Sequence, residues 1–217
     1  MMTAALTQAR RRREKEDRRE AVLAAARRIF FESGFHRATV ERIALEAGVA
    51  KGTVYLYFET KETILAHLLL AGLDNLLSRL EAAYDEASPH SGETRLRRLA
   101  QAYVQFFKDE QDSYRLMMAF DRGRFQESVP AEVYQQVLLR SVRAVRWAVK
   151  ALEQGLREGE FAVADARKAA GMFWAAVNGV LVLISHPLRR EILDQEVETL
   201  YAGVVEAMIR GFRKGAS

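Results

Sequence analysis

Apolar positions along the chain recur at intervals of three and four residues and almost nowhere alternate over a strand length. That pattern predicts an all-α protein of about nine helices. The first expected helix is Arg18–Ser33, where Val22, Ala26, Ile29 and Phe30 form one stripe before Gly34 stops it. Two short helices follow, Thr39–Ala47 and Ala50–Tyr57, with Gly48 between them and Thr39 as the N-cap of the first. Thr60 caps a longer helix, Lys61–Glu86. Beyond the loop Ser88–Gly92, helices are expected at Thr94–Asp109, Asp112–Phe120 and Pro130–Arg157, with a loop at Arg122–Val129. Asp165 caps a helix to Ser185, which His186-Pro187 ends, and the last helix runs Asp194–Phe212.

Composition narrows the class. The 217 residues are 49% hydrophobic with no Cys, so disulfides, zinc ribbons and thiol nucleophiles are excluded. The longest apolar run, Met172–Ile184, is interrupted by Asn178 and is short for a bilayer span. No membrane partner is expected, and a cytoplasmic location is. His36, His67, His90 and His186 are scattered without HExxH or HxxxH spacing, and no glycine-rich phosphate loop follows a strand. No enzyme activity, metal or cofactor is expected. His186 and Glu191 could meet near a turn, which leaves metal sensing as a weaker alternative.

The charge is unevenly placed. Residues 1–62 carry 13 Lys+Arg against 9 Asp+Glu, whereas residues 63–217 carry 20 of each. The whole excess of +4 thus lies in the first segment, densest at Arg10–Arg19. A local basic excess attracts polyanions, nucleic acid above all. The alternative is a solvated N-terminus.

Residues 39–58 read TVERIALEAGVAKGTVYLYF. Two short helices joined by a tight glycine-containing turn are the layout of a helix-turn-helix. Ile43, Ala44 and Val49 are placed to form its small core, and Gly48 supplies the positive φ of the turn. The stretch Ala21–Leu65 resembles the TetR family of bacterial transcriptional repressors. It matches that pattern at Ala25-Ala26, Phe30, Gly34-Phe35, Thr39-Val40, Ile43-Ala44, Ala47-Gly48-Val49, Lys51–Tyr55, Tyr57-Phe58 and Lys61-Glu62. One departure is Ala50, where that family often has Ser, so the second helix lacks a hydroxyl cap.

The resemblance implies a dimer whose second helix enters the major groove of operator DNA. Lys51 and Thr53 are then expected at base edges, with Gly52 permitting close approach. Thr39, Tyr55, Tyr57 and Lys61 are expected at phosphates, with Arg42 as a further phosphate ligand. Arg10–Arg13 form a candidate arm on the DNA backbone or minor groove. The expected division is a DNA-binding domain at 1–62 and an effector-binding and dimerisation domain at 63–217.

Two features of the second part carry weight. Met172–Ile184 is apolar around nearly its whole circumference, so one side suits its own subunit and another suits a partner. Gly171, Ala175, Gly179 and Val182, with Val197, Tyr201, Val204 and Met208 of the last helix, make a candidate four-helix dimer interface. A monomeric bundle is the alternative. Tyr103, Phe106, Phe107, Met117, Phe120, Trp147 and Trp174, with Asn178 as polar anchor, are candidates to line a site for a small apolar or amphipathic effector. Plain core is the alternative for each.

Overall fold

The computed structural model describes residues 2–121, 125–193 and 196–213. Among them are eleven α-helices and no strand, only an isolated bridge between Phe161 and Arg213. The helices are α1 (Met2–Ser33), α2 (Val40–Glu46), α3 (Lys51–Tyr55), α4 (Lys61–Tyr84), α5 (Gly92–Asp109), α6 (Gln111–Asp121), α7 (Phe125–Ser128), α8 (Ala131–Glu158), α9 (Ala166–Ile184), α10 (Pro187–Leu193) and α11 (Val197–Phe212). They form two compact units, Met1–Gly72 with Asp112–Val137, and Leu73–Gln111 with Leu138–Ser217.

In the first unit, α1 packs on α2 and α2 on α3. Val22, Ala26, Ile29 and Phe30 of α1 are buried, as their spacing predicts. Ile43, Ala44, Val54 and Phe58 fill the space between the short helices. Gly34 (φ 78) and Gly48 (φ 66) take the left-handed conformation at the two sharp turns. Thr39 Oγ1 accepts the Arg42 amide at 3.3 Å and Thr60 Oγ1 accepts the Thr63 amide at 3.0 Å, so both expected caps are made. Arg19 of α1 reaches His67 Nδ1 of α4 at 3.2 Å and lies 5.6 Å from the centre of the Phe58 ring. Burial first, and then the Arg19 guanidinium, push the His67 imidazole below its ordinary pKa.

Beyond shifts of a residue or two at helix ends, three elements differ from expectation. Helix α1 starts at Met2, not near Arg18. The added stretch has no apolar stripe, but it is built of strong helix formers without Gly or Pro, and Arg10 pairs with Glu14 one turn on. The short α7 lies in the expected loop at Arg122–Val129, of which 122–124 fall outside the described residues. Pro187 opens α10 where it was expected only to end a helix, because proline's fixed φ suits a helix's first position as well as it stops a preceding one.

In the second unit α9 packs along α11, and both meet α5. Leu96, Leu99, Ala100, Tyr103, Val104 and Phe106 form the buried face of α5. Asp165 caps α9 by accepting the amides of Arg167 (2.8 Å) and Lys168 (3.1 Å), which hold its carboxyl below the usual range. The N-terminus of α5 is satisfied from a distance as well. Glu158 accepts the Gly92 amide at 2.7 Å and Glu160 the Glu93 amide at 2.8 Å. Buried Arg95 donates to the carbonyls of Asp85, Glu86 and Ser88, and Arg98 to that of Ala83, so α5 supplies donors to the chain leaving α4.

By length and apolarity α4 and α9 resemble membrane-crossing helices. Two thirds of the apolar window of α4 is buried inside the protein, as for a core helix; α9 buries 39% of its window.

Candidate nucleic-acid interface

The exposed side of α3 is set by what its inner side must bury. Val54 is inaccessible and Phe58 nearly so, which turns Lys51, Gly52 and Tyr55 outward. Thr53 and Tyr57 lie at the flanks, half-buried. A Cβ at Gly52 would meet no other atom within 4 Å, so the backbone there is bare on its outer side. The Lys51 ammonium pairs with the Glu41 carboxylate of α2 and sits 5.7 Å from the centre of the Tyr55 ring. Hydrogen bonding to Glu41 raises the Lys51 pKa, and Lys51 in turn lowers that of Glu41. Both groups are therefore fully charged at neutral pH.

That pair makes a prediction. Before Lys51 can engage a nucleic acid it must exchange Glu41 for a phosphate or base, and Glu41 itself repels phosphate. Glu41→Gln should tighten binding to any duplex by up to about fivefold per head, the scale of an exposed ion pair. Fluorescence anisotropy against specific and random DNA at fixed salt measures it. Equal or weaker affinity would mean that Glu41 instead orients Lys51 for binding.

One of the sequence-assigned phosphate ligands, Lys61, is committed to contacts within the protein. The Lys61 ammonium donates to the carbonyls of Phe35 (3.1 Å), His36 (3.4 Å) and Ala38 (3.2 Å) and lies 4.7 Å from the Phe35 ring centre. Its charge is spent on tying the 3-10 turn at Phe35–Arg37 to the start of α4, the Phe35 carbonyl also accepting the Ala38 amide at 3.3 Å. Arg42 donates to Ser33 Oγ at 2.9 Å but remains exposed. Thr39 is exposed and serves as the α2 cap. Arg10–Arg13 project from the exposed N-terminal extension of α1.

In the second unit the sequence-selected aromatic residues separate. Tyr103 donates from its hydroxyl to Asn178 at 2.9 Å, which brings two of them together. Phe106 is buried beneath the Arg79 guanidinium, 5.8 Å away, and Phe107 is half-buried. Trp147 stacks on Tyr84 at 4.9 Å, with Lys150 over it at 4.7 Å. Trp174 is 47% exposed on α9, one turn before the part-buried Asn178. Met117 belongs to the first unit, and the Phe120 side chain lies outside the described residues.

Of the sequence-selected interface residues, Ala175 is exposed, and Gly171, Gly179, Val182, Val197, Val204 and Met208 are partly so. A Cβ at Gly171 or Gly179 would meet open space. Tyr201 is the exception. It is buried in its own protomer, its hydroxyl donating to the Ala100 carbonyl at 2.9 Å. The apolar stripe of α11 is wide enough to serve two surfaces, and Tyr201 falls on the one facing α5.

With this geometry in view, residues 22–68 match the family described as bacterial regulatory proteins, tetR family. Residues 96–208, about half of the chain, match the tetracyclin repressor-like C-terminal domain. The chain belongs to the TetR family. TetR-family regulators carry their DNA-binding helix-turn-helix at the N-terminus, which here is α2 and α3. The fatty acid metabolism regulator protein of Bacillus subtilis is 43% identical over 53 residues, 24% of this chain and 27% of that protein. The HTH-type transcriptional activator FasR of Mycolicibacterium smegmatis is 31% identical over 93 residues, 43% of this chain and 42% of that one. The matched stretches thus span between a quarter and under half of those relatives. Among solved structures, the fold matches the regulator FadR from Bacillus subtilis in complex with stearoyl-CoA, with a TM-score of 0.71 and 22% identity over 89% of this chain and 99% of that one.

Sequence reasoning missed Glu41 as the partner of Lys51 and the internal role of Lys61. Glu41 meets Lys51 across the turn of the motif, and Lys61 meets the 35–38 segment from the start of α4, contacts for which helical spacing carries no signal.

Proposed function

We propose that this TetR-family protein is a ligand-responsive transcriptional repressor, acting in the cytoplasm, that binds operator DNA as a homodimer and is released by a small apolar or amphipathic effector. The observation that carries the reading is the outward presentation of Lys51, Gly52 and Tyr55 on a helix whose opposite side is locked by Val54 and Phe58. Lys51 and Thr53 face base edges, while Thr39, Arg42, Tyr55 and Tyr57 take phosphates. The dimer is supported by the outer side of α9, where Met172 and Leu183 are exposed beside open Gly171 and Gly179. Val204 and Met208 of α11 extend that surface, and two such helix pairs make a four-helix contact about a two-fold axis.

The effector reading is supported by the buried Tyr103 hydroxyl and Asn178 on an otherwise apolar stretch of α5 and α9, and by relatives named for fatty acid metabolism. A long-chain acyl thioester is the first effector to test. It acts by preferring a dimer whose heads no longer match half-sites one helical turn apart, and only to the extent of its differential affinity for the two states. The test is a mobility-shift titration of the chain with the DNA upstream of its own gene. A discrete complex is expected, which stearoyl-CoA dissociates and coenzyme A alone does not. No shift refutes the DNA reading, and a shift insensitive to stearoyl-CoA refutes that effector. Because one relative is named an activator, in vitro transcription from the same fragment decides the sign.

A further inference from the structure

The outermost ridge of α3 is not polar. Successive helical residues are about 100° apart, so Gly52 and Leu56, each two positions from buried Val54, both point directly away from the core. They share one ridge, the Leu56 amide donating to the Gly52 carbonyl at 3.2 Å. Gly52 leaves the backbone bare, and Leu56 is 80% exposed. The polar candidates Lys51, Tyr55, Thr53 and Tyr57 flank this ridge on its two sides. What the helix advances furthest is thus an isobutyl group that can neither donate nor accept a hydrogen bond.

A duplex offers one apolar group in its major groove, the C5-methyl of thymine, and it is offered at the groove floor where the outer ridge of an entering helix arrives. Resting on the DNA-binding reading above, we propose that Leu56 is a specificity-determining residue that reads a thymine methyl in each half-site. The apolar contact removes two exposed groups from water at once and selects T·A over the other pairs at one position, where Lys51 and Thr53 select by hydrogen bonds at others. The isobutyl group is placed for this by continuity with the polar reading face, since the same helix turn carries both. Leu45 of α2, 83% exposed, is a second outward leucine, and packing of both against a neighbouring protein copy on DNA is the competing occupant.

The experiment starts from the tightest duplex that the full-length protein selects from a randomised pool. Each thymine is replaced in turn by deoxyuridine, which removes only the methyl. One position per half-site is expected to lose about fourfold in affinity on replacement, and about fifteenfold when both half-sites are changed. Leu56→Ala should lose a similar factor on the thymine duplex and become indifferent to deoxyuridine, while Leu56→Met should stay sensitive. The side chain is exposed, so all variants should melt as the parent does. Uniform affinity across every deoxyuridine duplex overturns the proposal, as does a Leu56→Ala protein that remains as sensitive as the parent. Loss of cooperative loading in Leu56→Ala, equal on both duplexes, assigns the leucine to a protein contact instead. If no duplex is enriched, the DNA-binding reading itself falls, an outcome distinct from the other three.

Discussion

Replacing Gly92 by Ala is expected to destabilise the protein by about 3 kcal/mol, lowering its melting temperature by about 6–12 °C. Gly92 is the first residue of α5, and a Cβ there would lie 2.2 Å from the Gly155 nitrogen, 2.5 Å from its Cα and 2.6 Å from the Ala151 carbonyl oxygen. All three are backbone atoms of α8, so no side chain can swing aside. The two helices would have to separate by on the order of 1 Å. Separation is resisted by the carboxylates of Glu158 and Glu160 on the Gly92 and Glu93 amides and by the Gln154 side chain on the His90 carbonyl. Alanine gains at most about 1 kcal/mol of helix propensity, which is smaller than the clash. Gly155→Ala is the informative contrast. Its Cβ would meet the Phe161 ring at 2.4 Å, and a ring can move, so the loss should be smaller. Gly52→Ala, which meets open space, should leave stability unchanged or raised. Thermal and urea unfolding of the three variants checks the order. A melting temperature for Gly92→Ala equal to the parent would mean that α5 and α8 are not in this contact.

The same junction shows what was legible in the sequence. The helix starts at Thr39, Thr60 and Asp165 were readable because the side chain that satisfies the free amides is the local one. The start of α5 was placed two residues late, at Thr94. The local cap Ser91, whose hydroxyl accepts the Thr94 amide at 3.4 Å, was missed; Glu158 and Glu160, which accept the Gly92 and Glu93 amides from 66 and 67 residues away, are encoded by no local pattern. The helical class, the turn glycines and the burial of Ile43 and Ala44 were legible because they rest on period and backbone conformation, whereas Val49, expected beside them, is only half-buried. Partnerships across the fold were not. Lys61 read as an anion ligand at a helix start, whereas its ammonium answers carbonyls 23 to 26 residues earlier. Tyr201 and Val204 read alike on one apolar stripe, and only the position of Ala100 separates them.

Lys51→Ala is expected to weaken binding to the selected duplex by about 30-fold to 10⁴-fold, with the fold unaffected. The range follows from symmetry. One well-placed lysine on a base edge discriminates by about 1–3 kcal/mol, and a two-fold dimer loses that contact twice. Salt dependence then tells which contact was lost. If Lys51 reads bases, the substitution should compress the ratio between the selected and a random duplex. If it meets phosphate, both affinities should fall together, and the slope of log affinity against log salt should flatten by about 0.9 for each contact removed. Tyr55→Phe removes only the hydroxyl and should act in the second way, uniformly across sequences. Combining Lys51→Ala with Tyr55→Ala should not be additive, because the Lys51 ammonium lies over the Tyr55 ring and the first substitution already removes that support. Both side chains are exposed, so unchanged melting temperatures separate lost recognition from lost structure. Should the double variant hold the selected duplex as tightly and as selectively as the parent, α3 would not be the reading element. The exposed N-terminal part of α1, with Arg10–Arg13, would then be the next surface to examine.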